Sequence, residues 1–201
     1  MRSPSLEALA AFHESGHAIV AHYLHYKVEH ASIERNERSE GRVRLTGDNV
    51  SAMAYTLSQL PEIDQYRSRF TAATRERAFD VIIIAVAGMV AERVFAGRKS
   101  RLAGTDEIEA TLFANVLVGS RRGRRDVIAA AEVECERILV KHDYEVRRVA
   151  QVLLAKRRLS GHEVRKIIKQ ARAVLRSPCG AALSRMLARQ RMTERHSATP
   201  H

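Results

Sequence analysis

The segment from Phe79 to Phe95, FDVIIIAVAGMVAERVF, is apolar on nearly all sides of the helix it predicts. A helix without a polar face belongs in the middle of a core, with other elements packed around it. Its longest apolar run, Val81 to Ala91, is far short of the roughly 20 residues that a membrane helix needs. Gly88 leaves room for another helix to approach closely, and Gly97 is a natural stop. With 201 residues, the chain can bury one sizeable core and still carry a tail. Aromatics make up 5% and tryptophan is absent, so that core has to be built from Ala, Val, Ile and Leu.

Other helices are expected around it. The first runs through LEALAAFHESGHAIVAHYLHY, with Ser3 as its cap and Pro4 in its first turn. Helical patterns also cover Ser51–Leu60, Tyr66–Arg77, Arg125–Lys141 and Tyr144–Lys156. Thr105 to Val118 reads as a helix capped by Thr105, with Asp106, Glu107 and Glu109 in its first turn, as the helix dipole prefers. Another helix begins at Ser160, where Ser160 and Glu163 form a capping box. His30–Glu34 and Gly41–Thr46 alternate apolar with polar residues and predict the chain's one sheet. The expected fold is therefore mainly α: a compact helical domain with one small β-hairpin or strand pair near the first helix. That domain spans residues 1–175. Residues 176–201 read as a basic, flexible tail with a short helix at Ala181–Arg191.

Formal net charge is +11, from 34 basic and 23 acidic residues. Such a surface attracts polyanions such as nucleic acid, anionic lipid or acidic proteins. The densest patch is Ser120-Arg121-Arg122-Gly123-Arg124-Arg125, which reads as a solvated loop or as a grip for phosphate. Cys135 and Cys179 form no CxxC, and Cys135 sits in a helical pattern as a small buried hydrophobe. The start, MRSPSLEALA, lacks a signal-peptide core. A cytoplasmic protein with no transmembrane segment is expected.

The chemistry lies in His13-Glu14-Ser15-Gly16-His17, an HExxH motif inside the first helix. Residues four apart share one helix face, about one turn apart, so both imidazoles can reach a single tetrahedral zinc ion. Glu14 then sits beside the open metal position, where it can take a proton from bound water. A zinc peptidase needs a third protein ligand. Glu40, Asp48, Glu92, Asp106, Glu107 and Glu109 are all candidates, and the chemistry of the residues alone does not choose among them. His22 is five residues past His17 and so points away from the metal face, and both His22 and His25 read as surface or packing residues.

FHESGHAIVAHYL resembles the first helix of the peptidase domain of FtsH-type membrane proteases, where the pattern is HEAGHA. AGMVAERVFAG resembles that family's GRAAEE-type helix, and AGTDEIEAT its SNDIERAT-type segment. ERILVKHDYEVRRVAQVLLAKRRLSGHEVRKII looks like the family's closing helices. The resemblance covers roughly residues 8 to 171, four segments in the right order. It implies His13, His17 and Asp106 as zinc ligands and Glu14 as the catalytic base. Glu92 falls on the first glutamate of GRAAEE, either as a partner that orients a ligand histidine or as a surface carboxylate. The sequence also departs from the family. It carries neither the membrane helices nor a G-x-x-x-x-G-K-S/T loop, Met89 stands where the family has arginine, and the stretch from Thr46 to Phe79 does not match.

The expected function is a Zn2+-dependent metallo-endopeptidase. It would act without ATP on peptides or loosely folded proteins, with homo-oligomerisation as in the ring-forming family. The strand pair would hold substrate in extended form by edge pairing. The alternative is a peptidase-like binding or adaptor module with an idle metal site, its partner a nucleic acid or an acidic protein. The charge and the Arg121–Arg125 patch support that second expectation.

Overall fold

A computed structural model describes residues 5–34, 42–45, 63–97 and 104–177. Six helices dominate: α1 (Leu6–Tyr23), α2 (Ala72–Ala96), α3 (Gly104–Leu117), α4 (Arg121–Lys141), α5 (Asp143–Lys156) and α6 (Gly161–Arg176). Three short strands, β1 (Val28–Ser32), β2 (Arg42–Leu45) and β3 (Arg158–Ser160), form an antiparallel sheet in the order β2-β1-β3. The expectation of a mainly α fold with a small β element holds.

Helix α2 is the axis of the core. Every residue from Val81 to Ala91 is buried, and α1, α3 and α4 all pack on it. It is longer than the apolar run: Thr71 caps it eight residues before Phe79 and accepts the Thr74 amide, and no breaker intervenes. Half of the segment expected as a separate helix at Tyr66–Arg77 is its first turns. Among the described residues, the turns Ile63–Tyr66 and Arg67–Arg69 come just before it. Gly97 ends it in the left-handed conformation.

Several boundaries differ from expectation for identifiable reasons. The cap of α1 is Ser5, whose Oγ accepts the Ala8 amide. That helix stops at Tyr23, because His25 takes the left-handed conformation (φ 66°). The Tyr26 amide then reaches back to the Ala21 carbonyl at 2.8 Å, a Schellman closure made without glycine. Gly104, not Thr105, opens α3. Helix α4 begins at Arg121, capped by Ser120 on the Gly123 amide, so the basic run is a helical first turn rather than a loop. The Ser160–Glu163 capping box at the start of α6 is present in full.

The sheet pairs His30 with Arg44 and Ala31 with Val43 on one side of β1. Leu159 of β3 pairs with Ala31 on the other side. This third strand was not expected, since three residues carry no periodic signal. It exists because α6 starts against β1: a Cβ on Gly161 would collide with the Val28 carbonyl. The segments expected as helices at Ser51–Leu60 and Ala181–Arg191 lie outside the described residues, as do Cys179 and most of the basic tail. Among the described residues, no helix is long and apolar enough to cross a membrane.

Candidate metal centre

The centre forms where α1 crosses α2 at backbone contact. A Cβ on Gly16 would sit 2.5 Å from the Ala87 carbonyl oxygen and 2.7 Å from the Ala91 Cβ. On the facing helix, a Cβ on Gly88 would run into the His13 ring. Gly88 therefore does more than admit a neighbouring helix: the space it leaves holds an imidazole. Two glycines and two alanines bring the histidine-bearing face of α1 down onto the core.

The third group comes from α3. Asp106, Ala110, Phe113 and Leu117 lie along one stripe of that helix. Ala110 and Phe113 are fully buried, so the stripe turns toward α2 and carries Asp106 inward with it. The far end of α3 is held by two arginines. Arg67 Nε donates to the Asn115 carbonyl at 3.1 Å, and an Arg75 guanidinium nitrogen lies 3.5 Å from the Leu117 carbonyl. Both satisfy carbonyls that a helix C-terminus leaves without partners.

The three donors converge. His13 Nε2 and His17 Nε2 are 3.1 Å apart, and Asp106 Oδ2 lies 3.2 Å from the first and 3.4 Å from the second. Ligands at about 2.0–2.1 Å from one tetrahedral ion are about 3.3 Å from each other, so this triangle is three corners of such a site. Among the described residues, these three form the one group of His, Cys, Asp and Glu side chains arranged to hold a metal ion.

The outward nitrogens fix what the inward ones are. His17 Nδ1 donates to the Ile84 carbonyl at 2.7 Å, and His13 Nδ1 donates to Glu92 Oε1 at 2.8 Å. A neutral imidazole that donates from Nδ1 presents a bare lone pair at Nε2. Two lone pairs and a carboxylate oxygen thus face one another across a partly buried gap, which only a cation or added protons can reconcile. The titration of the three residues follows. Burial disfavours the His13 imidazolium, but hydrogen bonds to Asp106 and Glu92 and the charge of Glu14 outweigh it and lift its pKa to about 10. His17 is likewise raised: burial opposes the charge and Asp106 overcomes it. Burial works against the Asp106 carboxylate, yet the two histidines hold it well below the usual carboxylate range. The donor set therefore fits a divalent metal ion.

Of the two readings of Glu92, the contact with His13 Nδ1 supplies the orienting one. Glu14 is buried beside the pair, and its charge favours the protonated form of both histidines. The neighbours of Asp106 go elsewhere: Glu107 is exposed, as is Ile108 between it and Glu109. Glu40 and Asp48 lie outside the described residues. His22 stands at the far end of α1 and His25 just beyond it, away from the centre. Cys135 is free and fully buried in α4, and burial pushes its thiol pKa up. The role of Gly88 was missed because a helical glycine gives no sign of which ring it accommodates. Compared with models of known protein families and with curated proteins, the chain matches none.

Proposed function

We propose that this chain is a zinc metallo-endopeptidase whose centre is His13, His17 and Asp106, with Glu14 as the general base. The observation that carries the reading is the inward-facing triangle of two bare imidazole nitrogens and a carboxylate oxygen, with edges of 3.1, 3.2 and 3.4 Å. A mixed nitrogen and oxygen set of three protein ligands, with a fourth position left open, is the pattern of hydrolytic zinc sites. The resemblance of four ordered segments to the FtsH-type peptidase domain supports the same assignment.

Zinc bound there supplies a Lewis acid that acidifies water and polarises a peptide carbonyl. The remaining work falls to the chain. Glu14 accepts a proton from the attacking water and passes it to the leaving amine, so a single carboxylate serves both halves of the reaction. Its burial keeps it out of competition with bulk water. Glu92 and the Ile84 carbonyl lock the two imidazoles in the tautomer that turns Nε2 inward. Among the described residues, β2 pairs with β1 alone, so its outer edge can take an extended peptide as a further strand. Peptides or loosely folded chains are the expected substrates.

The test is zinc content and casein cleavage on one purified sample of wild type, Glu14→Gln and Asp106→Ala. We expect one zinc per chain and cleavage in the wild type. Glu14→Gln should keep the zinc and lose about 10²–10⁴-fold in rate. Asp106→Ala should lose both. A wild type that takes up no zinc after supplementation defeats the proposal.

A further inference from the structure

A second feature of the molecule uses none of these residues. Beyond the metal-bearing part of α1, its C-terminal end and α6 enclose a groove of about 630 Å³. Arg165, Lys169, Arg172 and Arg176 line it from α6, His22 lines it from α1, and buried Ile168 forms part of its floor. A second hollow of about 380 Å³ shares His22 and Arg165 and extends the groove toward Lys27. We propose that this groove docks the sugar-phosphate backbone of double-stranded nucleic acid, without reading its sequence.

The spacing supports this occupant. The four cations follow one another at intervals of four, three and four residues, so they form a row along one helix face. The row is about 16 Å long at 1.5 Å per residue. One strand of a duplex presents a phosphate about every 3.4 Å along its axis, so the row spans about five. Three of the four are arginines, whose planar fork suits phosphate oxygens. A row of cations set in a groove fits a rod rather than the plane of a bilayer.

The charge there is uncompensated. Arg165, Lys169 and Arg176 are exposed and pair with no described carboxylate. Among the described residues, the carboxylate beside this row is Glu145, buried and 4.0 Å from Arg172, while Glu163 at the start of the helix is held by Lys156 and the Ser160 cap. His22 registers the resulting field: burial first, then the charges of Arg172 and Arg165, push its pKa down. Tyr26, the tyrosine that lines the groove's extension, is packed against the core and hydrogen-bonded to Asp80, so it is not a free ring for base stacking. That favours a duplex backbone over splayed single strands. The Arg121–Arg125 run offers similar charge but lines neither groove, and Arg124 is spent on the Gly119 carbonyl.

The experiment is fluorescence anisotropy of the full chain with a 25-base-pair mixed-sequence DNA duplex, titrated at 50 to 200 mM salt. Four phosphate contacts predict a log–log salt slope of about −3.6, or about 150-fold weaker binding across that range. Arg165→Gln/Lys169→Gln/Arg176→Gln should reduce the slope to about −0.9. Arg172 is left in place because it holds Tyr23 and Glu145. Arg121→Gln/Arg122→Gln/Arg125→Gln removes the same charge elsewhere and should leave binding within about twofold of wild type. Circular dichroism checks that each triple variant stays helical. Should the first triple unfold, its single variants, each expected to remove about 0.9 from the slope, replace it. Absence of binding overturns the proposal, and so does equal loss in both triples. Binding to 30% phosphatidylserine vesicles but not to the duplex also overturns it. The outcome is independent of zinc content and of peptide cleavage.

Discussion

Helix α1 carries two clusters of histidine, carboxylate and hydrogen-bonding neighbours, and they are built on opposite plans. Around His13 and His17, every ring N–H is directed outward, to Glu92 and to the Ile84 carbonyl, while the bare nitrogens and Asp106 face inward. At the end of the same helix, Tyr23 donates to Glu145 Oε1 at 3.1 Å and accepts from Arg172 at 2.9 Å. His142 Nδ1 lies 3.3 Å from the same Glu145 oxygen, and its ring stacks on Tyr23. In this second cluster donors meet acceptors, and charges of opposite sign lie side by side. Within this cluster, Glu145 Oε2 is the buried atom that has no hydrogen-bond partner among the described residues. The same side-chain types thus make a donor set that could hold a cation in one place and a tie between α1, α5 and α6 in the other. What separates them is the direction of the protons, not the composition.

The sharpest way to break this contrast is to remove the carboxylate from each. Asp106→Ala should abolish metal retention on dialysis against a weak chelator, and in metal-free protein it should also remove the pH-dependent stability that Asp106 and His13 share. Glu145→Ala should leave metal content unchanged and cost about 3 kcal/mol of unfolding free energy, since it strands His142 and Arg172 without their shared acceptor. Metal analysis and urea unfolding on both variants check the pair. If both lose metal, the two clusters do not have separate roles.

The second largest effect is in the response to pH. In metal-free protein, the His13 pKa is raised from 6.5 to about 10. A raised folded-state value gives stability that is complete below 6.5 and disappears as the pH climbs through about 10. Asp106 is lowered, so its contribution is present above 3.8 and fades on further acidification. Chelated protein should therefore lose Tm steadily from pH 6.5 to 10. Metal requires both histidines neutral, so loaded protein should gain on chelated protein over the same interval. Below pH 4.5 the two samples should fall together, because Glu145 is held below that value in both: burial opposes its charge, but the hydrogen bond from His142 prevails. Thermal melts of chelated and reloaded samples measure this gap. A constant gap from pH 6.5 to 10 contradicts the assignment.

Much of the fold could be read from residue pattern, and less of the site. The buried central helix, the Ser160–Glu163 box and the histidine pair each have a local signature that tertiary contacts reinforce. The start of α4 did not, because arginines in a first turn oppose the helix dipole. The Ser120 cap and the fit of α4 on α2, including Arg93 to Glu132 at 3.0 Å, prevail over that local penalty. Strand β3 depends on neighbours that a linear pattern does not name. Asp106 was one of six acids until the resemblance singled it out, and only its helix stripe explains why its side chain turns inward.

A smaller change separates orientation from ligation within the metal cluster. Glu92→Gln keeps the shape and the hydrogen-bond acceptor for His13 Nδ1 but removes the charge that makes Nε2 more basic. Metal affinity should fall about 10–100-fold with little change in helicity. Competition with a chromophoric chelator reads the difference. An unchanged affinity reduces Glu92 to a bystander.

The finest distinction lies at Tyr23, the residue that closes the second cluster. Its hydroxyl accepts from Arg172 and donates to Glu145, and burial together with the Glu145 charge lifts its pKa to about 12. Tyr23→Phe removes one hydroxyl while keeping the ring that stacks on His142. Glu145 Oε1 would retain its contact with His142, and Arg172, at the rim, would turn to water. The loss should therefore be about one hydrogen bond, near 1 kcal/mol, well below that of Glu145→Ala. Metal affinity should not move, because Tyr23 lies six residues beyond His17 and touches none of the ligands or their outward partners. A loss as large as that of Glu145→Ala would make the tyrosine, rather than the carboxylate, the centre of the tie. A change in metal affinity would mean that the ends of α1 are coupled, and that the open centre depends on the closed one.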